Sequence, residues 1–401
     1  KGYQNGIAIS LDINNTAELE ELIKGNDIVI SLLPWIHHVK VAEHCLAQNT
    51  HIATTSYVSK EMQVFDSEAK NKGLLFLNEI GVDPGIDHMS AMKIIDQVHS
   101  EGGKILHFYS YCGGLPAPED NDNPFGYKFS WSPKGVVLAS RNSAHYLENG
   151  ENIIIEGKNL FVNPRLEEVD ELGNFEVYPN RDSLPYKNFY GLHDALPVIR
   201  GTYRNIGWCA TLKAIVDLGL VDETPIIKVK GMTFQQLLAE LVGASESDNI
   251  RVKTAEILNI EIASPILDRL EWLGLFSDES VTNHDNLLDI LSDRLQEKLF
   301  YKEGEKDMIL LQHKFTVENK KKMKEFITST LIDYGIPKGD SSMARTVSLP
   351  LAIGVKLILT GKITLTGIQI PIMKEIYDPV LNELESMGIK MVEKISPKNS
   401  H

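Results

Sequence analysis

The sequence predicts an α/β protein whose first domain is a doubly wound parallel sheet. Short apolar, β-branched runs alternate with amphipathic stretches from residue 6 to residue 103. Several of the amphipathic stretches close on glycine or asparagine, as helices do. Strict alternation of this kind calls for crossover helices on both faces of a parallel sheet.

The elements follow in order. "GIAISLDI" (6–13) reads as a strand ending near Asp12, and "NTAELEELIKG" (15–25) as a helix. "NDIVISLLP" is a strand followed by the helix "HHVKVAEHCLAQNT". "HIATTSY" is a strand followed by the helix "SKEMQVFDSEAKNKG", and "LLFLNEIG" a strand followed by the helix "DHMSAMKIIDQVHSEGG". In such sheets ligands bind beyond the carboxyl ends of the strands. Those ends are Leu32-Leu33-Pro34, Thr55-Ser56-Tyr57 and Gly81-Val82-Asp83. After residue 104 the pattern changes to a strand and a long Gly/Pro/Asn/Asp loop. Further strands follow at 151–162 and 174–183. Residues 208–300 are mostly helical, 306–317 and 325–335 return to strand character, and 341–361 form a strongly apolar helix. That C-terminal helix is expected to pack back on the first domain, since a parallel sheet needs both faces covered.

With 401 residues, two or three domains are expected. A net charge of -15 argues against a nucleic-acid backbone or an anionic membrane as partner. An anionic small substrate remains compatible, because local arginines can build its site. No apolar run is read as long enough to cross a membrane. Three widely spaced cysteines, Cys45, Cys112 and Cys209, suggest a reducing compartment and no disulfide framework. The first residues have no targeting character and no initiator methionine, so the chain is expected to begin inside a longer protein.

No G-x-G occurs, although a dinucleotide-binding domain opens with a glycine-rich loop. Either the fold binds no dinucleotide or the first β-α-β lies upstream. A strand that ends in Asp12 and leads straight into a helix favours the second reading.

Asp83 either caps a helix, with Pro84 in the first turn, or presents a carboxylate at the cleft. Asp87 and His88 read as first-turn residues. Ser56 and Tyr57 either cap the next helix or offer hydroxyls to a ligand. Cys112 ends a strand before two glycines that permit close backbone approach to a ligand; the alternative is a buried structural thiol. Arg181, Arg200 and Arg204 lie in or near polar turns, and guanidinium forks suit carboxylates. His37, His38, His44 and His51 lack metal-ligand spacing, so no metal is expected. The "NKKKMK" run (319–324) reads as a solvated face.

The stretches "NEIGVDPGIDH", "SYCGGLPAPEDNDNPFGYKFSWSPKGVVLASRNSA", "YPNRDS", "IRGTYR", "WLGLFSD", "KDMILLQHKF" and "SSMARTVSLP" resemble the saccharopine reductases, the NADP+-dependent, L-glutamate-forming saccharopine dehydrogenases, in their fungal form. The likeness spans essentially the whole chain, apart from the family's first strand and glycine-rich loop. It implies a doubly wound Rossmann-like domain over 1–103 and 340–401, incomplete at the N-terminus. It also implies a mixed α/β substrate domain over 104–206 and 300–339, with an all-helical domain inserted at 207–299. The implied reaction joins L-glutamate to 2-aminoadipate 6-semialdehyde as an imine and reduces it with NADPH to saccharopine, reversibly, in lysine metabolism. Asp83, Tyr57 and Cys112 would surround the secondary amine. Ser56, Trp131, Arg181, Thr202, Arg204 and Thr346 would line the substrate. Asp12, Leu33, Thr55, Ser56, Val82 and Asp83 would face NADP(H).

The resemblance implies a cytoplasmic enzyme, or a mitochondrial one as half of a bifunctional lysine-degrading protein. Nothing in the sequence separates a monomer from a homodimer. Without the glycine-rich loop, the chain by itself is expected to show little activity. A polyamine-imine reductase of the carboxynorspermidine or homospermidine type is a rival, but its cationic substrate would want acidic pockets. A non-catalytic relic is another.

Overall fold

The structure is a computed structural model that describes residues 6–225, 229, 231–245 and 247–397. Its strands, in chain order, are β1 (Ile28–Ile30), β2 (His51–Ala53), β3 (Leu75–Leu77), β4 (Lys104–Pro116), β5 (Ala144–Glu148), β6 (Glu151–Ile155), β7 (Arg165–Val169), β8 (Gly173–Pro179), β9 (Val198–Arg204), β10 (Asp307–Glu318), β11 (Lys324–Tyr334), β12 (Gly367–Gln369) and β13 (Val392–Pro397). Two compact units divide the chain: Lys1–Gln97 with Arg345–Lys390, and Val98–Ala344 with Met391–His401.

The first unit carries a parallel sheet in the order β1-β2-β3-β12. Its β-branched and apolar runs become strands because crossover helices bury them. Leu19, Ile23, Val41, Leu46, Ile52, Met62 and Phe76 close one core. Asn15 and Ser59 start their helices by accepting the backbone N–H three residues on. The C-terminal helix Ser342–Leu359 joins this unit from Arg345 onward. Its Gly354 lies so close to Leu77 and Ile80 that an added Cβ would stand 3.3–3.4 Å from their side chains.

Three expectations change here. Residues 6–12 form no strand and are mostly exposed, because no described strand lies beside them to take their backbone hydrogen bonds. The single helix expected at 59–73 is two, Lys60–Gln63 and Asp66–Asn71; Phe65 interrupts them and packs toward the core. The helix Ser342–Leu359 is, by length and composition, long and apolar enough to cross a membrane. Here its apolar side chains Leu351, Ile353 and Leu357 are buried inside the protein.

The second unit is built on a mixed sheet of nine strands along the path β13-β11-β10-β4-β9-β5-β6, with the β7–β8 hairpin attached through β8 to β9. Only β4 and β9 run parallel among its neighbours; the other pairs are antiparallel. β13 pairs with β11, so residues 392–397 lie in this sheet and not with the dinucleotide-binding segment expected for 340–401. The basic run 319–324 makes the exposed turn between β10 and β11.

Helices Trp208–Asp217, Phe234–Val242, Ile250–Leu258, Pro265–Trp272 and Leu287–Lys298 fill the segment expected to be helical. Their Leu212, Leu237, Leu270 and Leu291 share one continuous core with Tyr111, Tyr203 and Leu310 of the sheet. The helical segment expected as an insert domain therefore packs as part of the same body.

Candidate active site

In the first unit, several of the candidate residues lie where β2 and β3 end. After β3 the chain turns through Gly81–Gly85 and enters the helix Ile86–Ser100. The turn closes on itself: Gly81 N–H donates to the Pro84 carbonyl (2.9 Å), and Ile86 N–H to the Gly81 carbonyl (2.9 Å). Gly85 has φ +147°, and a Cβ there would stand 2.0 Å from the Gly81 carbonyl oxygen, so only glycine fits. The Asp87 carboxylate, in the first turn of the helix, accepts from Gly85 N–H at 2.6 Å. Asp83 accepts a hydrogen bond from the Tyr57 hydroxyl at 3.0 Å. Tyr57 is thus one partner of the carboxylate that the sequence left between cap and cleft.

The β2 end is held from two sides. Ser59 is the helix cap, which leaves the Ser56 and Tyr57 hydroxyls available for other partners. Ser56 Oγ lies 2.8 Å from Nε2 of His38, and Nδ1 of the same ring lies 2.7 Å from Ser31 Oγ. Burial first, and neighbouring His37 second, hold the His38 pKa below the usual histidine value. In a neutral ring one nitrogen donates and the other accepts, so the Ser31–His38–Ser56 chain has a direction. Thr55 is half-buried against Gly81, Val82 is buried, and Leu33 beyond β1 is 39% exposed. Asp12 sits in an exposed turn, where its carboxylate accepts from Asn14 N–H at 2.9 Å. Thr346 is fully buried in its helix.

In the second unit, Cys112 and Thr202 face each other across the parallel pair β4–β9. Cys112 does not end its strand, and the two glycines after it do not open a ligand site. A Cβ on Gly113 would stand 2.7 Å from the Tyr203 carbonyl oxygen, and one on Gly114 2.7 Å from Met343 Cε. The neighbouring strand and the Met343 side chain occupy that space.

Arg204 ends β9 and is 4% exposed. One of its nitrogens donates to the Tyr203 carbonyl at 2.9 Å, while Nε is buried with no hydrogen-bond partner among the described residues. Its guanidinium lies over the rings of Tyr127 (4.9 Å), Trp208 (5.4 Å) and Tyr178 (5.7 Å). The carboxylate across the strand, Glu176, is taken by the N–H groups of Gly207 and Cys209. Arg200 is buried too, and donates to the Tyr186 hydroxyl at 2.6 Å. Arg181 lies in an exposed turn with φ +55°, and Trp131 is 44% exposed against Gly135.

Several participants were not singled out in the sequence. His38 was weighed only as a metal ligand, His88 only as a first-turn residue, and Glu79 and the ring Tyr178 not at all. Their partners lie 7 and 18 residues away for His38 and 9 for His88, beyond one helical turn, so no local spacing signals such pairings. Among the described residues no cluster of three or more His, Cys, Asp or Glu side chains could hold a metal ion. No disulfide joins Cys45, Cys112 and Cys209, and all three are buried.

Comparison with known proteins adds the family. Residues 1–77 match the model of the saccharopine dehydrogenase NADP binding domain, and residues 81–389 that of the saccharopine dehydrogenase C-terminal domain. The chain is 42% identical over 404 residues to the saccharopine dehydrogenase [NADP(+), L-glutamate-forming] of Pyricularia oryzae, covering 98% of this chain and 90% of that protein. It is 39% identical to the mitochondrial alpha-aminoadipic semialdehyde synthase of Bos taurus, over 95% of this chain and 42% of that longer protein. The solved structure of apo saccharopine dehydrogenase (L-Glu forming) from Saccharomyces cerevisiae superposes with a TM-score of 0.88 at 41% identity, over 97% of this chain and 89% of that one. With both halves matched and the likeness running through nearly every residue, the chain belongs to the saccharopine dehydrogenase family.

Proposed function

We propose that this chain interconverts saccharopine and NADP+ with L-glutamate, 2-aminoadipate 6-semialdehyde and NADPH. The observation that carries the proposal is Arg204, a buried guanidinium that no carboxylate pairs with among the described residues. A buried cation needs a counter-charge, and saccharopine brings three carboxylates. The same observation weighs against a polyamine substrate, whose positive charge would be repelled there. The names of the matching relatives point the same way.

The strand ends of the first unit fit the nicotinamide half of NADP(H). Leu33 offers an exposed apolar surface, Thr55 and Ser56 offer half-buried hydroxyls, and Val82 and Asp83 follow the third strand. Asp12, in an exposed turn, is a further candidate for the cofactor. When bound, NADP+ would supply the hydride acceptor for oxidation of a carbon next to the secondary amine.

The chain's own residues bind, align and manage one proton. Arg181, Thr202 and Arg204, with Trp131 and Thr346, would take the carboxylates and backbone of the substrate. Tyr57 and Asp83, already hydrogen-bonded, would share a proton with the amine; the Cys112 thiol of the second unit is a further candidate for proton handling. Loss of hydride leaves an iminium, and water then adds and releases glutamate and the aldehyde. Alignment supplies most of the rate, so proton handling by any one group is worth little alone.

The test is kinetic. Asp83→Ala, Tyr57→Phe and Cys112→Ala should each lower kcat about 10-fold to 100-fold, within the span of general acid–base effects. If one of them abolishes turnover in a folded protein while the others do nothing, a single acid–base residue is at work and this reading is wrong.

A further inference from the structure

Tyr57 is bracketed in the chain by two backbone groups that a single residue holds. The Glu79 N–H donates to the Ser56 carbonyl at 3.1 Å, and the Glu79 carboxylate accepts from the Val58 N–H at 2.9 Å. The peptide units before and after Tyr57 are thus tied to the same residue, and neither can rotate without breaking a bond in a largely buried place. The other carboxylate oxygen of Glu79 lies 2.8 Å from Nε2 of His88. His88 is fully buried and Glu79 is 7% exposed. A buried carboxylate persists only when hydrogen bonds replace its water, and these two bonds do so.

The backbone of Glu79 adds an independent observation. Its φ is +59°, in the left-handed region that a side-chain-bearing residue adopts at a cost. Such residues cluster where function demands a particular geometry. Asp83 follows on the same segment, and the Tyr57 hydroxyl reaches it at 3.0 Å. Glu79 therefore fixes Tyr57 from the same stretch of chain that supplies Tyr57 with its partner. A misplacement of about 1 Å at such a site can cost about 100-fold in rate.

We propose that Glu79, held in place by His88, is a positioning residue that fixes the Tyr57 phenol against Asp83. The proposal rests on the reading that Tyr57 acts at the substrate amine. Reach, not charge, is the property it requires. Glu79→Asp keeps the charge beside His88 but is one methylene short of the Val58 N–H. Glu79→Gln keeps the reach and an acceptor oxygen.

The experiment compares both variants, alone and with Tyr57→Phe, in saccharopine oxidation by the intact chain. Glu79→Asp should lower kcat about tenfold with the saccharopine KM within about twofold of its normal value, while Glu79→Gln stays within about threefold in kcat. In the Tyr57→Phe background, Glu79→Asp should cost less than about twofold more, because the group it positions is gone. The reverse ranking of the two variants overturns the proposal, and so does a full tenfold loss in that background. A readout without turnover comes from 3-fluorotyrosine placed at position 57. Its fluorine resonance should shift or broaden with Glu79→Asp and stay put with Glu79→Gln. If Tyr57→Phe leaves kcat unchanged, the role given to Tyr57 fails, and the fluorine line still decides on Glu79. An unmoved line in Glu79→Asp sinks the proposal. Should that variant not fold, a shifted line in Glu79→Gln sinks it instead.

Discussion

Arg204 and His38 show how surroundings give an ordinary side chain a particular task. Arg204 has its guanidinium walled by aromatic rings and its Nε unsatisfied. A substrate carboxylate placed there would gain a charge-assisted bond worth roughly 1.5–3 kcal/mol. Arg204→Lys keeps the charge and loses the planar fork, so the saccharopine KM should rise about tenfold or more, with the NADP KM little changed. Steady-state kinetics with each ligand varied in turn checks this; equal rises in both constants would move Arg204 out of the substrate site. His38 is a matter of stability. Burial and His37 lower its folded pKa below the unfolded value of 6.5. Between those two values the unfolded chain binds more protons than the native one, so stability rises with pH through that window. Above 6.5 this contribution is fully present, and it is lost as pH falls toward the folded pKa. Urea denaturation at pH 5 and pH 7.5 should therefore show a smaller pH-dependent drop for His38→Asn than for the unsubstituted protein. Equal drops would mean that His38 takes up its proton as easily when folded.

At the scale of elements, two glycines are fixed by close approach. Gly85 has positive φ and no room for a Cβ beside the Gly81 carbonyl, in the turn that carries Asp83. Gly85→Ala should destabilise the protein by more than about 1 kcal/mol, since the native conformation is incompatible with a side chain. It should also lower kcat, because Asp83 moves with the turn. Chemical denaturation paired with turnover measures both, and an unchanged midpoint would contradict the geometry. Gly113 tells the complementary story. Its place before a loop suggested ligand approach, yet the Tyr203 carbonyl oxygen fills the space. A local motif reports that a side chain is forbidden and not what forbids it. Helix caps act within one turn, yet for the helix after β2 the sequence offered Ser56 and Tyr57 where Ser59 is the cap.

Across the whole molecule, protection should follow pairing. β10 is paired on both sides, with β4 and β11, and its Met308–Leu311 stretch is buried. β1 is a short strand at the end of its sheet, with Ile30 47% exposed. Amide hydrogen exchange followed by mass spectrometry should find peptides from β10 among the slowest and those from β1 far faster. Comparable protection in the two would show that the sheets open as one cooperative unit.

The sequence by itself determined the β-α alternation, the helical stretch, the C-terminal helix and the family. Each is written in local periodicity or in contiguous motifs, and side chains a few residues apart carry that information. Tertiary structure alone decided that residues 6–12 form no strand, since a strand exists only against a partner. It also decided that the last strand, β13, joins the second sheet and that the helical segment shares the core of that sheet. In the candidate site, Tyr57 and Asp83 were legible as residue types at strand ends, and Arg204 as an arginine near a polar turn; that it ends β9 was not legible. That Tyr57 donates to Asp83, that Glu176 is spent on a helix start, and that Glu79 and His88 stand behind the tyrosine were not legible. Those pairings join residues far apart in the chain, and such hydrogen bonds form only once packing has brought the partners together and excluded water from them.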